Sequence, residues 1–135
     1  MALADRVGAL LDTSFFIAHE QHRPIQAADL PSGLAVSVVT VAELRLAVLN
    51  EHDPARQALR LGTLERALQI RSIGIDEATA FQWAVLRSLA RSQSQSRVND
   101  LWIAATALVL GVPVVTQDEG FARLQKIGGP RAILV

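Results

Sequence analysis

The sequence contains no cysteine, and only 4% of its residues are aromatic. The lack of cysteine excludes a disulfide framework and a thiolate metal site, and it is compatible with a reducing cytosol. With so few aromatic rings, we expect the core to be built from Leu, Val, Ile and Ala. The 13 basic and 13 acidic residues balance to a net charge of zero, so any contact with a nucleic acid must be local.

The chain also lacks an apolar run that fits a signal peptide or a membrane span. Its opening Met-Ala-Leu-Ala-Asp-Arg is too polar for a signal peptide, and Asp12 interrupts the apolar run that follows. The other long run, 101–115, is broken by Gly111 and Pro113 and is too short to cross a bilayer. We therefore expect a soluble, cytoplasmic protein, and a length of 135 residues fits a single domain, 1–135.

Short apolar runs alternate with helical patterns along the whole chain. Helices are expected over 13–20, 41–49, 54–67, 77–90, 101–110 and 119–126, and strands over 9–11, 34–39, 70–75, 112–116 and 132–135. Alternation of this kind predicts an α/β protein in which helices cover both faces of a central, mainly parallel sheet of four to five strands.

The helix after strand 34–39 has a capping pattern of its own. Thr40 is expected to be the N-cap, and Glu43, three positions later, is in place to bond the backbone N–H of Thr40. This capping box is a purely structural interpretation of Glu43, and it competes with a catalytic one.

Apolar residues at helical spacing over 77–90 predict a buried helix face. Phe81, Val85 and Leu89 fit a core stripe better than a cofactor site. The polar segment 92–96, Ser-Gln-Ser-Gln-Ser, is expected to be a mobile loop at the entrance of a site rather than a domain linker.

Four carboxylates follow an apolar strand or stand in the first turn of a predicted helix: Asp12, Glu43, Asp100 and Asp118. Because the carboxyl ends of parallel strands share one edge of the sheet, which is where ligands bind in such folds, the four acids are expected to converge. Carboxylates that meet without Arg or Lys between them repel one another, and a hard divalent cation is the usual compensation. Oxygen ligands favour Mg²⁺ or Mn²⁺. Taken alone, Asp12 is equally well explained as a helix cap.

The residues around these acids resemble a known family. Four stretches carry the likeness: Leu-Leu-Asp-Thr-Ser at 10–14, Val-Thr-Val-Ala-Glu-Leu at 39–44, Asn-Asp-Leu-Trp-Ile-Ala-Ala-Thr-Ala at 99–107, and Val-Thr-Gln-Asp-Glu-Gly-Phe at 115–121. Each is weak by itself, but four in this order resemble the blocks of a PIN domain, specifically of VapC-type toxins. The resemblance runs from end to end and implies a three-layer α/β/α fold similar to that of FLAP-type nucleases.

The resemblance also implies an activity and a site. VapC-type toxins are Mg²⁺- or Mn²⁺-dependent ribonucleases that a cognate VapB-type antitoxin holds inactive. Carried over block by block, it makes the four acids both catalytic residues and metal ligands, with hydroxyl support from Thr116 and Ser14. One position departs from the pattern, because Gly120 stands where many relatives carry a further acid. A second metal is therefore expected to be weakly held, or absent until RNA supplies phosphate oxygens.

Two partners follow from the same comparison. Apolar residues over 41–49 and 59–68 exceed what one small sheet covers, and relatives pair in this way, so a homodimer is expected. The antitoxin is expected to lie across an apolar groove near the first helices, with a basic side chain at the acids. Phe15 and Phe16 are candidates for that groove, although core positions explain them better.

Other interpretations stay open from the sequence. The rival function is a non-catalytic PIN-like module that binds RNA or a protein, and retention of all four acids argues against it. His19 and His22 lie three positions apart, but two His are a poor metal site and a solvated surface explains them better. Arg87, Arg91 and Arg97 are in place to follow a phosphate backbone, although a solvated helix face is the simpler explanation.

Overall fold

The protein is described by a computed structural model that covers residues 6–26, 29–90 and 98–135. Its sheet contains five strands, and every neighbouring pair is parallel. The strand order is β3-β2-β1-β4-β5, which places β1 at the centre. The strands are β1 (Ala9–Leu11), β2 (Leu34–Ser37), β3 (Arg71–Ile73), β4 (Val114–Thr116) and β5 (Ala132–Leu134).

Six helices cover the sheet in the described part of the chain. They are α1 (Thr13–Glu20), α2 (Val38–Leu49), α3 (Pro54–Leu68), α4 (Glu77–Ala90), α5 (Val98–Leu110) and α6 (Glu119–Lys126). None of these helices is long and apolar enough to cross a membrane. The segment 92–96 lies outside the described residues.

The central strand builds a core on each side of the sheet. Leu10 belongs to a buried cluster formed with residues of α4, α5 and α6. Ala9 and Leu11 belong to a second cluster formed with residues of α1, α2 and α3. Because successive side chains of a strand point to opposite faces, this division separates the helices into two layers. The predicted α/β/α fold with a parallel sheet is confirmed.

Two glycines let the chain segments before β1 and β2 approach each other. The backbone N–H of Gly8 donates to the carbonyl of Gly33 across 2.7 Å, and Gly33 has a φ of +76°. A Cβ on Gly8 would lie 1.9 Å from the carbonyl oxygen of Ser32. No other residue fits there, so these glycines fix where β1 enters the sheet.

The prediction that Thr40 caps the second helix is wrong. Ser37 is the N-cap, and its side chain accepts a hydrogen bond from the backbone N–H of Val39 at 3.0 Å. The strand stops at Ser37 because this residue forms the last pair with β3, opposite Ile73. α2 therefore starts before Thr40, and Glu43 lies in its second turn rather than in a capping box.

The predicted core stripe of α4 is also wrong. Phe81 is 74% exposed, and Val85 and Leu89 are exposed as well. Leu86 and Ala90 are buried instead and belong to the same core cluster as Leu10. α4 carries apolar residues at helical spacing on two faces, so periodicity alone could not indicate which face packs against α5.

Candidate active site

Asp12 lies directly after β1, at the point where the strand order of the sheet reverses. β2 and β3 extend from one side of β1, and β4 and β5 extend from the other. In an open parallel sheet, this switch point opens a crevice at the carboxyl ends of the strands. The backbone N–H of Asp12 donates to the carbonyl of Val115 at 2.9 Å, and Asp12 is also the N-cap of α1. The strand pairing and the helix start therefore hold this residue from both sides.

Asp12 is 3% exposed, and two hydroxyl groups hold its carboxylate. Its Oδ2 accepts hydrogen bonds from Ser14 Oγ at 2.7 Å and from Thr116 Oγ1 at 2.9 Å. An ionised carboxylate only accepts hydrogen bonds, so in that state both hydroxyls donate to Oδ2. Burial raises the pKa of Asp12 above its usual value, while the hydrogen bonds from Ser14 and Thr116 oppose that rise.

The same hydroxyls also fix the chain that leads to Asp118. Ser14 Oγ accepts a hydrogen bond from the backbone N–H of Gln117 at 2.9 Å, and Thr116 Oγ1 accepts one from that of Asp118 at 2.8 Å. Asp118 is the N-cap of α6, where its Oδ1 accepts from the N–H of Gly120 at 2.8 Å. Thr116 thus joins Asp12 to the residue that starts α6.

Glu43 is held from the beginning of α1. Its Oε1 accepts a hydrogen bond from Thr13 Oγ1 at 2.8 Å, and Thr13 Oγ1 lies 3.0 Å from Thr40 Oγ1. Since an ionised carboxylate only accepts, Thr13 donates to Glu43 and Thr40 donates to Thr13. Sequence reasoning missed the roles of Thr13 and Thr40, because Thr13 and Glu43 are 30 positions apart and no spacing rule connects them.

Asp100 lies in the first turn of α5, as predicted, and its side chain is half-buried. α5 packs against β1, which ends directly before Asp12, and against α2, which carries Glu43. β4 is parallel to β1, so α5, the helix that leads into β4, runs in the opposite direction to the strands. The first turn of α5 therefore lies at the carboxyl edge of the sheet. Within the described ranges, no three His, Asp or Glu side chains are grouped closely enough to hold a metal ion.

Residues 9–127 match the family model of the PIN domain. This chain belongs to the PIN domain family. It is 46% identical to Ribonuclease VapC5 of Mycobacterium tuberculosis over 116 residues, which cover 85% of this chain and 86% of that protein. It is 43% identical to Ribonuclease VapC4 of the same organism over 122 residues, covering 88% and 92% of the two chains. The resemblance inferred from the four sequence blocks is confirmed.

Solved structures agree with this assignment to the PIN domain family. The crystal structure of a member of the VapBC family of toxin-antitoxin systems, VapBC-5 from Mycobacterium tuberculosis, is similar with a TM-score of 0.84 and 41% identity. The match covers 96% of this PIN domain protein and 99% of that chain. FitAcB from Neisseria gonorrhoeae is similar with a TM-score of 0.69 and 28% identity, over 93% and 96% of the chains.

Three other residues considered from the sequence, His19, His22 and Arg87, take no part in the hydrogen bonds that hold the acids of this PIN domain. His19 and His22 are both exposed, and Arg87 is exposed on α4. Arg91 and Arg97 lie outside the described residues.

The two phenylalanines of α1 pack edge to face, with ring centroids 5.6 Å apart. Phe16 is buried in the core that α1 shares with α2 and α3, and Phe15 is half-buried against it. The core interpretation is confirmed for Phe16, so only Phe15 presents part of a ring to a possible partner.

Proposed function

We propose that this PIN domain protein is a metal-dependent endoribonuclease and the toxin of a toxin–antitoxin pair acting in the cytoplasm. The observation that supports it best is the buried carboxylate of Asp12, held by Ser14 and Thr116 at the switch point of the sheet. A carboxylate that only capped a helix would not need burial and two hydroxyl donors from different elements. The relatives named as ribonucleases, at 46% and 43% identity, support the same reaction.

The ligand chemistry of the site suits a hard divalent cation, and holding one would require the acids to lie closer together than they do in the described part of the chain. Asp12 and Asp100 are proposed as the principal ligands, with Glu43 and Asp118 completing the set, and all of them offer carboxylate oxygens. The donors Ser14 and Thr116 bond Oδ2 of Asp12, so Oδ1 accepts neither of these hydrogen bonds. When bound, Mg²⁺ or Mn²⁺ supplies Lewis-acid stabilisation of the charge that develops on a phosphodiester.

Hydroxyl side chains orient two of these acids. Burial raises the pKa of Asp12, and the hydrogen bonds from Ser14 and Thr116 oppose that rise and fix the direction of the carboxylate. Thr13 holds Glu43 in the same way from the neighbouring position of α1.

The test of this function is metal-dependent cleavage by the purified protein. RNA cleavage is measured with Mg²⁺, with Mn²⁺, and in EDTA, with removal of contaminating nucleases checked on an Asp12→Asn preparation made in parallel. We expect cleavage with either ion and none in EDTA. Full activity in EDTA contradicts the metal-dependent nuclease. Binding of RNA without cleavage under any of these conditions favours the alternative, a non-catalytic PIN-like binding module.

The partner is proposed to be a VapB-type antitoxin, because the similar structures include VapBC toxin-antitoxin complexes. Its peptide is proposed to lie near α1, where the ring of Phe15 is half-buried, and to bring a basic side chain to the acids. Co-purification with the product of the neighbouring gene tests the pairing. Charge reversal at Asp12 and Asp118 should weaken it, and unchanged binding would show that the basic contact is wrong.

A further inference from the structure

The first turn of α6 has a glycine between two charged side chains, Asp118 and Arg123. Gly120 has no side chain, and a Cβ built there would lie 3.1 Å from Oδ1 of Asp118. The same Cβ would lie 3.6 Å from Nη2 of Arg123. The guanidinium of Arg123 therefore reaches back along α6 to the side of the helix that carries the carboxylate of Asp118.

The side chain of Arg123 is exposed and forms no ion pair with the neighbouring acids in the described part of the chain. In the described structure, Arg56 and Arg60 form ion pairs with acids, but Arg123 forms none with Asp118 or with Glu119, one turn before it. Because the guanidinium of Arg123 lies beside Gly120 and is not paired with Glu119, it can bind an anion that approaches the site.

We propose that Arg123 binds a backbone phosphate of the RNA beside Asp118, and that Gly120 keeps the space for this contact. The inference rests on the proposed ribonuclease function. Carboxylates repel a polyanion, and a net charge of zero supplies no general attraction. RNA binding at this site therefore needs a basic side chain close to the acids. A guanidinium bonds a phosphate with two parallel N–H groups, which positions the RNA without reading its sequence.

The test measures binding of an uncleavable, 2′-O-methylated single-stranded RNA at several salt concentrations. We expect Arg123→Ala to weaken binding by roughly five- to tenfold near physiological salt, with Arg123→Lys in between. The slope of log Kd against log salt should fall by about 0.7, the value for one phosphate contact to a single strand. Arg56→Ala is the matched control, because Arg56 is also exposed, lies on α3, and pairs with Glu51 and Asp53, which both precede that helix.

A second variant tests the role of Gly120. In Gly120→Asp the new carboxylate is expected to pair with Arg123, so binding should fall as far as in Arg123→Ala. The losses should be less than additive in the double variant, because both substitutions remove the same contact. Circular dichroism and thermal melting confirm that each variant is folded.

The possible outcomes separate this inference from the proposed function. If wild type binds and cleaves RNA while Arg123→Ala keeps the wild-type affinity and salt slope, the inference is wrong and the ribonuclease function stands. Additive losses in the double variant contradict the role assigned to Gly120. If wild type does not bind RNA at all, the inference and the proposed function are both wrong.

Discussion

Thr116 donates a 2.9 Å hydrogen bond to Asp12, although the two residues are 104 positions apart in the sequence. The bond spans the carboxyl ends of β4 and β1, on the line where the strand order reverses. The same hydroxyl accepts the backbone N–H of Asp118 at 2.8 Å. One fully buried side chain therefore sets the direction of one acid and the starting point of another.

The first prediction concerns this hydroxyl. Thr116→Val keeps the shape of the side chain but removes the donor to Asp12 and the acceptor for the N–H of Asp118. Leaving one buried polar group without a partner costs about 1–3 kcal/mol, so the melting temperature and the cleavage rate should both fall. Thr116→Ser should recover most of both. Wild-type melting and cleavage in Thr116→Val would show that the hydroxyl has no such role.

The second prediction concerns the acids. Asp12→Asn and Asp100→Asn should each lower RNA cleavage on the order of a hundredfold or more, because each removes a proposed cation ligand. RNA affinity should change far less, since contacts to the phosphate backbone of the RNA carry most of that affinity. Mn²⁺ should raise the melting temperature of wild type more than that of either variant.

Asp53→Asn is the matched control for these substitutions. Asp53 is also an N-cap aspartate, but it is exposed at the start of α3. Its variant should cleave like wild type and respond to Mn²⁺ like wild type. Equal cleavage by wild type and Asp100→Asn would count against the metal-nuclease proposal and favour a binding module.

The third prediction concerns pH. Burial raises the pKa of Asp12 above 3.8, so the folded protein binds a proton more readily than the unfolded chain. Above the raised pKa the buried charge lowers the free energy of unfolding, and as pH falls through that pKa this cost disappears. At neutral pH and in EDTA, Asp12→Asn should therefore melt no lower than wild type. The difference should shift in favour of wild type as the pH is lowered towards 4, and a shift in the other direction would contradict the effect of burial.

The fourth prediction concerns the support of Glu43. Thr13→Val removes the 2.8 Å donor to Glu43 and the acceptor for Thr40. The maximal cleavage rate should fall several-fold while KM changes little, because the variant misplaces an acid rather than removing an RNA contact. Thr13→Ser should restore the rate. A loss confined to KM would place Thr13 in RNA binding instead.

The fifth prediction is that the protein forms a homodimer. Four leucines of α2 and α3 are each more than half exposed: Leu46, Leu49, Leu59 and Leu68. Exposed leucines on two helices that pack together are typical of an interface. Light scattering should give a dimer mass at micromolar concentrations without any partner, and a monomer mass throughout that range would count against it.

Replacing one exposed apolar residue with Glu, first on α3 and then on α4, locates the dimer interface. Leu59→Glu should produce monomers if the face of α2 and α3 forms the dimer. Phe81→Glu is the comparison, because Phe81 is 74% exposed on α4, on the other side of the sheet. Loss of the dimer only in Phe81→Glu would move the interface to α4.

The sequence by itself determined the order of helices and strands and the places of Asp12, Asp100 and Asp118. Apolar periodicity and capping residues are local signals, and a parallel sheet brings the ends of its strands to one edge whatever their separation in sequence. Only the tertiary structure decided that α2 begins at Val38 and that Phe81 is exposed. Strand pairing ends β2, and packing against α5 selects one of two apolar faces of α4.

The hydrogen bonds of the site were likewise decided only by the tertiary structure. Thr13 meets Glu43, and Thr116 meets Asp12, because α1, α2, β1 and β4 are packed around the same end of the sheet. A hydroxyl carries no periodic pattern that indicates a distant partner, so its role depends on distances that exist only in the folded chain. The sequence predicted which acids stand at this edge, and packing decided which side chains hold them.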